Sequence, residues 1–463
     1  MNIFSLAPLQ RNTLFMVLLN AWATPLMLSS VNVALPSIAE SLTMNAVMLS
    51  WIPMAYLMAG AMFVLFFGRL ADMFGRKKIF LIGTASTIVS SIAAAMSTSG
   101  EALIFFRLLQ GVSAAMLYAT QVAIISSVFP PAQRGATIGI VISTLYFGLA
   151  AGPFIGGHLI EQFGWQACFI FQIPLSFIVL YIGLVKVQGD WSNTENVHSF
   201  SDLDIKGTVI YASSIVAFSV GISTLTTNVS YLLIVFGLLA IWWFIRIEKT
   251  ATHPIFDLSL FTNNRIFTLS CCTSYLMYTA TFANVVLVSL YLQYIKGFPA
   301  STAGMIMMTQ PLVMAIFAPI SGKLSDRFEP RILASLGILL TILGLVILAT
   351  LDAQSPTKIL IIALMTTGAG FGLFSSPNTN AIMGAVKKTQ YGIAAGTNSS
   401  MRMLGQLSSM FIVTLVMSLL IGPVEITPDK YGQLAKVIQL SFLIAASLCL
   451  PGIYFSLKRG LVR

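Results

Sequence analysis

Gly68-Arg69-Leu70-Ala71-Asp72-Met73-Phe74-Gly75-Arg76 and Gly322-Lys323-Leu324-Ser325-Asp326-Arg327-Phe328-Glu329-Pro330 decide how this chain is read. Each is a short polar loop that follows a long apolar run, and Gly, Leu, Asp and Phe recur at matching positions. The pairing marks an internal duplication.

Outward from these loops, apolar runs of about twenty residues fill the chain, the length a helix needs to cross a hydrocarbon core. Of 463 residues, 57% are hydrophobic and 9% charged, whereas a soluble domain carries roughly a quarter charged residues. Lipid is therefore the expected solvent. Runs between polar punctuation predict spans near 13–36, 49–69, 79–97, 101–122, 135–158, 167–186, 207–224, 230–246, 266–291, 303–321, 332–350, 357–376, 391–421 and 434–456. The first is too long for a signal-peptide core and is taken as a retained span. The expectation is an all-α membrane protein of about fourteen transmembrane helices.

The repeated loop returns eight spans later, not six, so two spans stand between two six-helix halves. The expected division is 1–187 for the first half, 188–205 for a cytoplasmic linker, 206–250 for two inserted helices and 251–463 for the second half. With the N-terminus cytoplasmic, nineteen of the twenty-five Lys and Arg residues collect on one face, and Lys296, Lys358, Lys430 and Lys436 on the other. The positive-inside rule then puts both termini in the cytoplasm of a cell whose cytoplasmic (inner) membrane holds the chain. The net charge of +10 is thus topological, with no nucleic-acid partner implied. The four cysteines sit in apolar runs and the three histidines are scattered, so neither a disulfide framework nor a metal site is expected, and nothing calls for a cofactor.

At the repeated loops the sequence resembles the major facilitator superfamily, and more closely its fourteen-span drug:proton antiporter branch. Arg107-Leu-Leu-Gln110-Gly111 resembles the family's span 4 motif, and Gly148-Leu-Ala-Ala-Gly152-Pro153-Phe-Ile-Gly156-Gly157 its antiporter motif in span 5. Trp165 to Pro174, Asp204-Ile-Lys-Gly207, His253-Pro254 with Leu258-Ser-Leu-Phe261, and Tyr291-Leu-Gln293 resemble further stretches of the fourteen-span branch. The resemblance implies the major facilitator fold, a monomeric transport unit, a small-molecule substrate and protons as coupling ion. It also implies a conformational switch at Gly68, Asp72, Gly75, Arg76 and Arg134, with Gly322, Asp326 and Arg327 in the second copy. Physically, Asp72 can face a helix N-terminus or Arg76, a contact suited to one state only. Gly152, Pro153 and Gly156 permit close helix approach and a kink, as a pivot or seal between halves or as ordinary packing.

All fifteen acidic residues fall in loops or at span ends, but Arg107 and Arg402 lie well inside spans. An intramembrane cation needs a partner, a water-filled cavity or a substrate. Candidate partners are Gln110, Gln121, Asn32, Asn398 and Gln406. For Arg107 a cavity role competes with a structural arginine tied to backbone carbonyls. In span 1 the family pattern places Asp where this chain has Met27, within Leu26-Met27-Leu28-Ser29-Ser30-Val31-Asn32. Methionine cannot titrate, so proton antiport, implied by the resemblance, is undermined here, and His158 is the remaining titratable group near the membrane. Candidate lining residues for a midplane cavity are Asn20, Asn32, Tyr118, Gln121, Tyr146, Tyr275, Tyr278, Asn284, Gln310 and Asn378.

The leading expectation is a secondary transporter exporting small, largely apolar organic compounds by alternating access. The alternative is an exporter or uniporter of an organic anion held by Arg107. A membrane enzyme would need a nucleophile with a base, or metal ligands, at membrane depth, and a receptor a signalling appendage; the sequence displays neither.

Overall fold

A computed structural model describes residues 6–191, 203–225, 228–250, 256, 258–325, 327–386 and 391–460. Asp326, His198, His253 and most of the predicted linker lie outside the described residues. Fourteen helices are long and apolar enough to cross a membrane. They are labelled α1 (Pro8–Ser41), α2 (Ala46–Phe74), α3 (Arg76–Ala95), α4 (Gly100–Val128), α5 (Pro131–Phe163), α6 (Ala167–Lys186) and α7 (Ile205–Ser223). There follow α8 (Asn228–Glu248), α9 (Arg265–Ile295), α10 (Ala300–Leu324), α11 (Pro330–Ala349), α12 (Thr357–Gly384), α13 (Tyr391–Leu420) and α14 (Tyr431–Lys458). No strand occurs among the described residues.

Helices start where a side chain can take the orphan backbone N–H groups of a first turn. Asn45 accepts from Met48 N at 2.8 Å, Asp204 from Gly207 N at 2.8 Å and Asn264 from Phe267 N at 3.0 Å. Pro8, Pro131 and Pro330 stand at first turns, where a missing N–H costs nothing. Gly75 ends α2 at φ 111°, a left-handed conformation that excludes most side chains.

Packing repeats with an offset of eight helices. In one bundle α1 packs on α5, α2 on α4, and α3 on α4 and α6; in the other α9 packs on α13, α10 on α12, and α11 on α12 and α14. The bundles meet where α1 touches α9, α2 touches α13 and α5 touches α10. Helix α7 leans on α2 and α13, and α8 packs on α7 with Leu232, Trp242 and Trp243 turned outward. Apolar side chains exposed in this way suit contact with acyl chains.

The bundles are hydrogen-bonded to each other on the face away from the termini. Ala46 N donates to Val424 O (2.9 Å), Gln293 Nε2 to Val33 O (2.9 Å), Ser301 N to Glu161 Oε1 (2.9 Å) and Thr414 Oγ1 to Ser50 Oγ (2.8 Å). Glycine makes this closure possible: a Cβ on Gly157 would strike the Ala300 carbonyl oxygen, and one on Gly304 that of Pro153. The loop behind the clasp is also fixed. The Asp352 carboxylate accepts the Ser355 hydroxyl and the N–H groups of Ser355 and Gln354. These bonds hold it below the usual carboxylate range.

Three spans predicted as continuous are interrupted; α6 breaks at Phe171 and ends in a π turn over Ile182–Lys186. Helix α9 breaks at Phe282–Ala283 and ends in a π turn over Tyr291–Ile295; α10 breaks at Met308. Thr279 and Thr281 bond back to the carbonyls of Tyr275 and Met277, which bends a helix, and Ser409 of α13 takes the Ala283 N–H at 3.0 Å. Threonine is compatible with an unbroken apolar span, so the pattern of hydropathy could not reveal the break.

Gly304→Val should overpack the α5–α10 contact and cost about 1–3 kcal/mol of stability. The expected readout is a lower melting temperature in detergent together with faster thiol labelling of a cysteine placed at Ser301, on the clasp.

Candidate functional site

At mid-depth, where α2, α4 and α5 of one bundle face α9 and α13 of the other, polar and aromatic side chains form a continuous belt. It begins with Arg107, 0% exposed. Its Nε donates to Ile52 O at 3.1 Å, and its Nη1 to Gln110 Oε1 at 2.8 Å and Met27 Sδ at 3.5 Å, while the Tyr56 ring covers the guanidinium at 4.5 Å. Gln110 is fixed in turn by Ser91 Oγ at 3.0 Å. Nη2 has no protein partner. Gly111 lets this happen, because a Cβ there would strike the Tyr56 carbonyl and hold α4 away from α2. The span 4 motif is thus a device for bringing a backbone carbonyl and an aromatic face onto a cation, and Met27 is part of its coat.

From Arg107 the belt runs through Tyr56, whose hydroxyl lacks a hydrogen-bond partner and faces Tyr118. Arg402, half-buried, lies over the Tyr118 ring at 5.4 Å and beside Tyr278, which also interacts with Tyr146. Gly405 sets this side: a Cβ there would lie 2.6 Å from Tyr275 O and 2.8 Å from Tyr278 Cβ, so α9 and α13 touch where Tyr278 and Arg402 project. Phe371 backs Tyr278 edge to face at 5.3 Å. The structure thus brings together Arg107, Gln110, Tyr118, Tyr146, Tyr278 and Arg402 and adds Tyr56, which its apolar setting in Pro53-Met-Ala-Tyr56-Leu-Met hid in the sequence.

Other candidates lie elsewhere. Asn32 and Gln121 are buried with Oδ1 and Oε1 unpartnered, and Gln310 is buried in α10. Asn284 sits at the break in α9, facing a small cavity shared with Thr279, Ser409 and Ser441 and enclosed by α9, α13 and α14. Asn378 belongs to a network near the end of α14 that sequence reasoning missed. Arg459, one of the basic residues that the charge asymmetry assigns to the cytoplasmic face, is 1% exposed. It donates to Asn378 Oδ1 at 2.7 Å and Ser270 Oγ at 3.3 Å. Asn378 donates to Ser270 O and Ser274 Oγ, and Ser274 to Asn398. Burial pulls the Arg459 guanidinium down to about 10. Its place in a run with Lys458 gave no hint of this.

The loop after α2 is clasped on its own bundle. Asp72 pairs with Arg76 (Oδ1 to Nη2, 2.7 Å), and Arg76 Nη1 donates to Ser127 Oγ at 2.7 Å and Ala123 O at 3.3 Å on α4. Residues 187–191 fold over the loop: Lys77 Nζ donates to Val187 O and Lys78 N to Asp190 Oδ1, with the Asp190 carboxylate against Gly75. Arg134 donates to Phe129 O at 2.8 Å, closing the end of α4. In the second copy Gly322 faces Ser376 of α12 as Gly68 faces Ala119 of α4, and Arg327 lies in an exposed turn. Gly148, Gly152 and Gly156 face α1, where Ser30 Oγ donates to Gly152 O at 2.8 Å and Ser29 Oγ to Leu149 O at 3.1 Å. Pro153 and Gly157 face α10.

Arg459→Ala orphans Asn378 Oδ1 and should cost about 1–3 kcal/mol, seen as a lower melting temperature in detergent. Asn378→Leu in the Arg459→Ala background should recover part of that loss, because both polar partners are then gone.

The sequence pattern described as Major Facilitator Superfamily matches residues 17–410 and 269–460. Over 380 residues the chain is 31% identical to the riboflavin transporter RibZ of Clostridioides difficile, covering 81% of each chain. It is 29% identical to the multidrug resistance protein Stp of Mycobacterium tuberculosis, covering 85% of this chain and 72% of that one. Among solved structures, the D-xylose-proton symporter superposes with a TM-score of 0.70 at 12% identity, over 96% of this chain and 97% of that chain. That likeness concerns the fold alone. Residue motifs, eight-helix offset and sequence similarity converge: this chain belongs to the Major Facilitator Superfamily and is a membrane transporter.

Proposed function

We propose that the chain exports small, largely apolar organic compounds across the cytoplasmic membrane by alternating access, with the substrate seated at the belt. The observation that carries this reading is the ring of Tyr56, Tyr118, Tyr146 and Tyr278 with Arg402, drawn from both bundles at mid-depth. A site shared by two bodies is the place where their relative rotation exposes a ligand to one face and then the other. Aromatic faces give flat organic molecules contact area without demanding one hydrogen-bond pattern. Relatives named for riboflavin transport and for multidrug resistance support an organic substrate.

On this reading the moving bodies are 1–187 and 251–463, with α7 and α8 carried along the α2–α13 seam. The clasped face is the outer one, with both termini cytoplasmic. The Asp72–Arg76 pair is the resting form of a switch whose carboxylate faces another partner when the other side closes. Proton coupling, if the carrier uses it, runs through groups other than a span 1 carboxylate, since Met27 lies against Arg107.

The test is efflux of riboflavin and of a lipophilic dye from proteoliposomes with and without a pH gradient. Export by the intact chain is expected, and no movement of either class overturns the reading. Asp72→Asn should slow transport about tenfold, the effect of losing roughly 1.4 kcal/mol in one state. The pair is exposed and worth little to folding, so the melting temperature should stay within about a degree.

A further inference from the structure

Resting on the reading of the belt as the substrate site, we propose that the transported compound is an organic anion with a planar conjugated ring, its negative group held by Arg402. The argument is one of charge. Among the described residues the spans carry Arg107 and Arg402 at mid-depth, while the carboxylates Glu40, Asp72, Glu101, Glu161 and Glu248 stand within the last turn of a helix end. No carboxylate among the described residues lies within ion-pair distance of either arginine. Two unneutralised cations in a low-dielectric setting repel a third and attract an anion.

The geometry distinguishes the two arginines. Arg107 is enclosed: Ile52 O, Gln110 Oε1 and Met27 Sδ occupy Nε and Nη1, and Tyr56 covers its face. Its charge sets the potential of the belt, while its Nε, Nη1 and ring-facing side are taken up by the protein and only the fully buried Nη2 is left over. Arg402 is the half-buried one, lying over the Tyr118 ring and beside the Tyr278 hydroxyl. Its guanidinium edge is free to accept a carboxylate, phosphate or sulfonate in paired N–H···O contacts. Because Arg402 and Tyr278 come from one bundle and Tyr56, Tyr118 and Tyr146 from the other, a ring lying on the tyrosines with its anion on Arg402 would join both bodies.

The experiment uses the full chain in nanodiscs and two dyes with the same three-ring skeleton, fluorescein as the anion and a cationic rhodamine ester, with binding read by fluorescence anisotropy. Fluorescein should bind at least about tenfold more tightly, as expected where one charged contact is realised and the other repelled. Arg402→Gln should abolish that preference, and Arg402→Lys should keep part of it, a control that separates loss of charge from loss of fold. Met27→Glu places a carboxylate against Arg107 and should narrow the preference without removing it. Equal or tighter binding of the rhodamine, or an undiminished preference in Arg402→Gln, overturns the proposal. If both dyes bind alike and both are lost in Tyr278→Ala, the anion is ruled out while the belt stands as the site. If neither binds, both readings fall.

Discussion

Helix α5 touches backbone on both sides, and the rest of the architecture depends on that double contact. In lipid no hydrophobic force draws two helices together, so association rests on close packing and on hydrogen bonds that cross between them. Gly148, Gly152 and Gly156 bring α5 onto α1, where Ser29 and Ser30 reach its carbonyls, and Gly157 with Pro153 brings it onto α10. One helix therefore ties its own bundle together with one edge and closes the far face with the other. Any shift of α5 against α10 is transmitted to α1, which carries Met27 and hence the coat of Arg107.

The belt shows the same economy at mid-depth. Gly111 and Gly405 each remove a Cβ at a helix crossing, and each crossing delivers an arginine to a tyrosine: Arg107 to Tyr56, Arg402 to Tyr118 and Tyr278. A small residue one turn from a cation is common to both crossings. It permits a charge to sit among neutral groups, which would otherwise be a costly placement at this depth.

Much of this was legible in the sequence. Fourteen spans followed from run length, and the offset of eight between the Gly68 and Gly322 loops was repeated by the packing of α1, α2 and α3 against their neighbours and of α9, α10 and α11 against theirs. Arg107, Tyr118, Tyr146, Tyr278 and Arg402 stood out because polar groups in apolar runs are conspicuous. Tyr56 did not, since a tyrosine among methionines and alanines reads as packing. Arg459 was hidden for the opposite reason: a basic residue in a terminal run satisfies the positive-inside pattern whether it faces water or folds back between α9 and α12. The break in α9 depends on Ser409, more than a hundred residues away, taking one N–H. No local reading of span 9 contains that information.

The two seams between the bundles, α2 with α13 and α5 with α10, are copies of each other under the internal duplication, yet they do not meet the bilayer alike. Helix α7 lies along the first and carries α8 on its outer side, whereas the second has no such companion among the described residues. A lipid-dissolved molecule drifting in the plane of the membrane therefore finds one flank upholstered and the other bare. The duplication that made the transporter symmetric about its centre has been undone at its rim, where one seam has gained a helix pair that its copy lacks among the described residues.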